Sequence, residues 1–173
     1  MEIDGNCRNI ASAIAVVLLA YAGVAGSSPK HQTPTGDRIA IERLHRLDVE
    51  ATLTDSADEL SKLWDKDAVR LQPGQPPEVT KIVIYSDDKR WETSSERPKT
   101  LCYKTEIHDL QISGDWAFEW GYFSYRNSRD ATAGRGKTLR VMKRQSDSSW
   151  KFARVIGFPE KNESAAPMSQ PCK

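Results

Sequence analysis

GDWAFEWGYFSY (114–125), RNSRDATAGRG (126–136), KTLRVMKRQ (137–145), SDSS (146–149) and WKFARVIGF (150–158) together read as three consecutive antiparallel strands joined by two turns. In the first run Trp116, Phe118, Trp120 and Tyr122 share one parity, while Ala117, Glu119 and Gly121 share the other. That is the period-two signature of a strand with two unlike faces. Leu139 and Val141 alternate with Arg140 and Met142 in the second run. Trp150, Phe152, Ile156 and Phe158 alternate with Lys151, Ala153 and Gly157 in the third. Each strand can bury one apolar face, and the bulky aromatic row is expected to point inward, because exposed together it would form a patch that soluble monomers avoid. Ser146-Asp147-Ser148-Ser149 supplies tight-turn chemistry, and residues 126–136 form a longer hairpin loop.

A sheet with one apolar face needs a cover, which the upstream sequence provides. From Asp37 to Thr54 the residues Ile41, Leu44, Asp48 and Ala51, with Leu47 beside them, recur at helical spacing, so one helix face is mostly apolar and Asp48 sits inside that stripe. Ser56-Ala57-Asp58-Glu59 reads as a capping box opening a second helix that turns Leu60, Leu63 and Trp64 inward. Ala68–Gln72 reads as a short strand stopped by Pro73-Gly74 and Pro76-Pro77. KIVIYSDDKRW (81–91) fits either a strand, by its β-branched start, or a helix, by its Ile84/Trp91 spacing. Thr100–Ser113 is a further strand that turns inward either Leu101, Tyr103, Thr105 and Ile107 or Cys102, His108, Leu110 and Ile112. Helices followed by a run of antiparallel strands give an α+β order, in a single domain over 37–158.

The 173 residues suit one domain with tails, and 25 basic against 24 acidic residues, with no cationic cluster, give no footprint for nucleic acid. Ile10–Gly26 (IASAIAVVLLAYAGVAG) is uncharged and apolar and ends in small residues, as in a secretory signal, although Glu2 and Asp4 outnumber Arg8 before it. The chain is therefore expected to be secreted or periplasmic, with cleavage near Ala22 or Ala25; if residues 1–26 are not cleaved, they are a membrane anchor. Residues 27–36 form a polar linker, and 159–173 a disordered tail whose Asn162-Glu163-Ser164 sequon has meaning only in a eukaryotic secretory host. An oxidising compartment allows Cys102 and Cys172 to pair, the alternative being two free thiols.

AIERLHRLDVEAT (40–52), ELSKLWDKDAVRLQPGQPP (59–77), GDWAFEWGYF and GKTLRVMKRQSDSSWKFAR (136–154), in this order and spacing, resemble the SnoaL-like branch of the nuclear-transport-factor-2-like superfamily over residues 38–158. The resemblance implies a cystatin-like cone, a curved antiparallel sheet wrapped around N-terminal helices, and makes 81–91 the third helix. Ketosteroid isomerases, polyketide cyclases, dehydratases, epoxide hydrolases and non-catalytic binding modules share that fold, so the fold does not deliver function.

The candidate site consists of polar residues expected on inward faces. Asp48 on the first helix and Arg154 beside Phe152 and Ile156 are expected to pair, since either charge alone is costly to bury. His45, three residues before Asp48, is within reach of it. Arg70 and Gln72 share a face of the short strand, and Trp120 and Tyr122 belong to the aromatic row, so all four are expected to line the pocket. Glu119, pointing the other way, is assigned to an outer surface through which the chain forms a homodimer. Counted from Leu63-Trp64, Gln72 stands where ketosteroid isomerases have their carboxylate base, Asp48 where they have a tyrosine, and Val141 where they have a second oxyanion-hole acid. Glutamine cannot take and return a proton near neutral pH, so that mechanism does not carry over. No nucleophile elbow or phosphate loop is present, and three scattered histidines, His31, His45 and His108, do not make a metal site. No cofactor is expected. Two readings follow: a module that binds a small hydrophobic molecule or a partner without a catalytic set, or a lyase, hydrolase or isomerase in which Asp48, poised by His45 or Arg154, is the acid or base on a hydrophobic substrate held by Trp120 and Tyr122.

Overall fold

The computed structural model describes residues 34–129, 134–160, 168 and 172. The apolar run, most of the linker and the sequon lie outside the described residues. Helix α1 (Pro34–Leu53) opens on a proline, which suits a first turn whose amides have no helical partners. Ser56 Oγ accepts the Glu59 amide hydrogen at 3.3 Å and starts α2 (Ala57–Lys62). Leu63 and Trp64 are both buried, but Trp64 already belongs to strand β1 (Trp64–Leu71), which starts well before the expected Ala68. After β2 (Glu78–Val79), residues Lys81–Glu92 form α3, as the resemblance implies, with Ile84 fully buried. Strands β3 (Thr100–Ser113), β4 (Trp116–Asn127), β5 (Gly134–Arg144) and β6 (Trp150–Glu160) complete a six-stranded sheet of order β2-β1-β6-β5-β4-β3. All neighbours are antiparallel except β1 and β6. The result is an α+β fold, a curved sheet with helices on its inner side.

The sheet faces reverse the expected parity. Ala117 (0% exposed) and Glu119 (4%) point into the core, whereas Phe118 is 47% exposed. In β5 the buried residues are Gly136, Thr138, Arg140, Met142 and Arg144, and Leu139 is exposed. Small Ala117 and Gly121 leave room for the packing layer of Ile41, Leu44, Met142 and Phe152, which the row of rings would have filled.

Two of the sheet's register shifts then invert the expected faces within β6 and β3. Met142 pairs with Phe152 but Val141 with Arg154, so Ala153 is the extra residue and is buried together with Phe152. Beyond it the parity inverts: Arg154, Ile156 and Phe158 turn outward with Trp116 and Phe118, and Val155 turns inward against the core. In β3, Ile107 pairs with Gly121 and Asp109 with Trp120, so His108 is extra. The two alternatives for this strand are therefore both realised in part, Tyr103, Thr105 and Ile107 inward before the bulge and Leu110 and Ile112 after it. Gly121 is required opposite the bulge, since a Cβ there would stand 2.1 Å from the Glu106 carbonyl oxygen.

The chain end is not wholly a loose tail. Strand β6 continues to Glu160, and both Met168 and Cys172 are buried. Cys172 is joined to Cys102 (S–S 2.13 Å, Cα–Cα 6.0 Å).

These faces set a stability contrast. Phe152→Ala should cost about 3–5 kcal/mol by removing the ring at the centre of the core, and Phe118→Ala less than about 1 kcal/mol in the isolated protomer. Urea unfolding of both variants checks it, and equal losses would overturn the face assignment.

Candidate functional site

Asp37, Ile41, Leu44, His45 and Asp48 form the inward stripe of α1, and its polar members meet arginines from β5. The eight steps from Asp37 to His45 span about 12 Å of helix, and the four steps from Arg140 to Arg144 span about 13 Å of strand, so the two sets match along their lengths. Arg144 binds both carboxylate oxygens of Asp37, Nη2 at 2.7 Å from Oδ2, and its guanidinium lies 4.5 Å over the Trp150 ring.

Arg140, 5% exposed along its side chain, is the hub of the second set. Its Nη1 donates to His45 Nδ1 at 2.7 Å, and its Nη2 donates to Tyr103 Oη at 3.3 Å and to Asp48 Oδ2 at 3.4 Å. Glu119 Oε1 lies 3.6 Å from Nη1, and the Phe152 ring is 5.3 Å from the guanidinium carbon. Arginine has donors only, so His45 Nδ1 is an acceptor and Nε2 carries the hydrogen, which it donates to Glu119 Oε2 at 2.7 Å. Both ring nitrogens are thus engaged. Burial pushes the Asp48 carboxyl above its ordinary range, against the pull of Arg140. The Tyr103 phenol, pushed up to about 12 mainly by burial, keeps its proton at neutral pH and remains a donor.

A cleft of about 390 Å³ opens on the concave side of the sheet beside this network. Phe123, Tyr125 and Val155 form apolar walls, and Tyr103 and Arg140 bring the polar network to its surface. Arg70 and Gln72 line the cleft and also the wider groove of about 920 Å³ between the Pro76-Pro77 loop and α3. Arg70 is tied down by Glu78 (Nη2–Oε1 2.7 Å) and Asp88 (Nη1–Oδ1 2.6 Å). Among the described residues no group of three or more His, Cys, Asp or Glu side chains is arranged to hold a metal ion.

Of the expected site residues, Asp48 and His45 share one cluster, and Arg70 and Gln72 line the cleft. Asp48 does not itself line it. Arg154 is not the partner of Asp48: the Ala153 bulge turns it outward, where its Nη1 donates to the backbone oxygens of Asp67 (3.0 Å) and Ala153 (2.6 Å). Trp120 and Tyr122 do not reach the cleft; they stand on the outer face with His108, whose ring centroid is 4.1 Å from that of Trp120. Glu119 is inside, not on an outer surface. Sequence reasoning missed Arg140, Tyr103, Phe123 and Tyr125. The signal that could have found Arg140 is its place four residues before Arg144 on one strand face, matching the acidic and histidine positions of the first helix.

The Asp48 environment sets a sign for pH dependence. Where the folded-state carboxyl titrates above its ordinary value of 3.8, the native chain holds a proton that the unfolded chain has already released. Stability from this group is then greatest below the ordinary range and falls as pH rises through the raised value. The stability of Asp48→Asn relative to wild type should therefore improve as pH increases from ~4. Paired denaturant titrations across pH test this, and a flat or declining difference would refute it.

Neither the family models nor the curated proteins contain a match to this chain. Solved structures do match. A ketosteroid isomerase-like protein of Erwinia carotovora atroseptica SCRI1043 aligns at 20% identity and TM-score 0.60, over 72% of this chain and 96% of its own. A Nostoc punctiforme PCC 73102 domain of unknown function with a cystatin-like fold aligns at 13% identity and TM-score 0.63, over 76% and 82%. A nuclear-transport-factor-2-like protein of Cytophaga hutchinsonii ATCC 33406 aligns at 16% identity and TM-score 0.59, over 71% and 98%. At these identities the likeness is one of fold: the chain is built on the cystatin-like α+β cone of the nuclear-transport-factor-2-like proteins.

Proposed function

We propose that the chain is a binding module whose ligand is a small, largely apolar molecule carrying one acceptor or anionic oxygen. One observation carries the reading: the cleft joins the apolar walls of Phe123, Tyr125 and Val155 to a donor pair, Tyr103 and Arg140, fixed from behind by His45 and Asp48. Its volume lies within the range of small-molecule sites. Donors held by buried partners lose little freedom when they engage a ligand oxygen, which favours affinity. The locked state of His45 supports binding over turnover, because a ring engaged at both nitrogens is not placed to take a proton from a ligand.

A second reading, a lyase, hydrolase or isomerase with Asp48 as acid or base, is favoured by the burial that raises its carboxyl pKa. In that case Asp48→Asn would abolish turnover of a bound compound while leaving its affinity in place.

The proposal includes export and self-association. Ile10–Gly26 supports export, and N-terminal sequencing of protein recovered from its host decides it. The outer rings and chains of Trp116, Phe118, Leu139 and Phe158, between 40% and 50% exposed, support a homodimer through the outer sheet face. Sedimentation should give a dimer for the wild type and a monomer for Phe118→Arg; a monomeric wild type would end that part.

The cleft is tested with 1-anilinonaphthalene-8-sulfonate, which has an apolar ring system and an anionic oxygen group. Gly157 lines the cleft, and a Cβ built there meets no atom within 4 Å, so Gly157→Phe fills the space without a backbone clash. Wild type should bind the probe at one saturable site, and Gly157→Phe should lose it with an unchanged melting temperature. Undiminished binding by the filled variant would overturn the reading.

A further inference from the structure

Met168 and Cys172 are 9% and 3% exposed although they lie beyond the last strand. Met168 packs on Tyr122. Cys172 is bonded to Cys102, its amide donates to Ser124 Oγ at 2.9 Å, and its Sγ lies 3.6 Å from the Ser124 carbonyl oxygen. Ser124 is fully buried as a result. All three attachment points, Cys102, Tyr122 and Ser124, are on the convex side of β3 and β4.

Strand alternation places the cleft directly behind them. Cys102 precedes Tyr103, and Tyr122 and Ser124 flank Phe123, with Tyr125 next; Tyr103, Phe123 and Tyr125 line the cleft. Tyr103 pairs with Tyr125, and Lys104 with Ser124, so the buried chain end and the apolar wall occupy the same few rungs of the ladder. Strand β3 is the last in the sheet order, and its register shifts between Thr100 and Cys102. An end strand is held by a ladder on one side alone, and a register shift weakens even that.

We propose that the chain end at Met168 and Cys172, fastened by the Cys102–Cys172 disulfide, is a brace on the back of the ligand cleft that holds Tyr103, Phe123 and Tyr125 in their binding positions, and that a dithiol reductant loosens the cleft by opening it. The effect on ligand rests on the binding reading above; the brace itself does not. In the opening step one reductant thiolate attacks a bridge sulfur and the S–S bond breaks. That releases one cysteine thiolate and leaves the other cysteine in a mixed disulfide with the reductant; the second reductant thiolate attacks the reductant sulfur of that mixed disulfide and releases the second cysteine thiolate. The reductant leaves as its own disulfide, and Cys102 and Cys172 each take up a proton as thiols.

The full chain is compared oxidised, reduced in place with dithiothreitol, and as the Cys102→Ser/Cys172→Ser double variant. Amide hydrogen exchange is read at Tyr103, Phe123 and Tyr125, and at Met142 and Phe152 as reporters of the core. The affinity for 1-anilinonaphthalene-8-sulfonate is read in parallel. Opening the bridge should speed exchange about tenfold at the three cleft residues, leave the two core residues unchanged, and weaken probe affinity by about tenfold, a step of ~1.4 kcal/mol. If the double variant does not fold, reduced wild type and Met168→Ala, which keeps the bridge but uncovers Tyr122, decide the matter by the same readouts. Unchanged exchange at the cleft residues, or equal acceleration at Met142 and Phe152, would overturn the brace. If oxidised wild type binds no probe, the binding reading fails while the exchange pattern still decides the brace.

Discussion

Arg140 and Arg144 on one strand face meet His45, Asp48 and Asp37 on one helix face, and this matched pairing of buried charge holds the first helix against the sheet. Removing charged groups from water costs several kcal/mol each, repaid only by close partners with good geometry. The pairing therefore fixes where α1 lies along β5 more narrowly than apolar contacts would, since Ile41 and Leu44 tolerate small slides that the Arg144–Asp37 fork does not. Once α1 is seated, Ala117 and Gly121 are the side chains that fit beneath it, and the bulky residues of β4 are left to the other face.

The same pairing shapes the candidate site. Arg140 is drawn to the concave surface, yet its guanidinium is oriented from behind by His45 and Asp48 and from the side by Tyr103. The cleft beside it inherits a preset polar end and apolar walls from Phe123, Tyr125 and Val155. Glu119 acts at one remove: it takes the Nε2 hydrogen of His45 and so keeps the opposite nitrogen turned to the arginine. Arg70 has a different status, because three carboxylates from β2 and α3 surround it and hold it as a joint between the cleft and the outer groove.

The outer face is divided. Toward the Thr100 end of β3 and the Asn127 end of β4 it is closed by the chain's own Met168 and Cys172, and toward the opposite end it carries exposed Trp116, Phe118 and Leu139. It is on this apolar patch that the proposed self-association rests.

The sequence by itself determined most element types and their order: the helical stripe, the Ser56 cap, the proline-stopped first strand and the three alternating runs all appear, while local pattern leaves 81–91 open between strand and helix, starts β1 four residues late and does not mark β2. It also marked Asp48 and His45 as polar residues in an apolar stripe, and Cys102 and Cys172 as able to pair. The tertiary structure alone decided which face of each strand is inside, because period two is symmetric: it states that two faces differ, not which of them the helix covers. Bulk pointed the aromatic row of β4 inward, but Met142, Phe152 and the paired charges of β5 fill the space under α1, and β4 meets it with Ala117 and Gly121. The bulges at Ala153 and His108 each shift parity by one residue, and no local signal marks them, since the extra residue is accommodated by the neighbouring strand's register. The shift at Ala153 sent Arg154 to the surface and left Arg140 as the partner of Asp48, while β4, which carries no bulge, put Phe123 and Tyr125 rather than Trp120 and Tyr122 in the cleft because its odd-numbered face is the one turned inward.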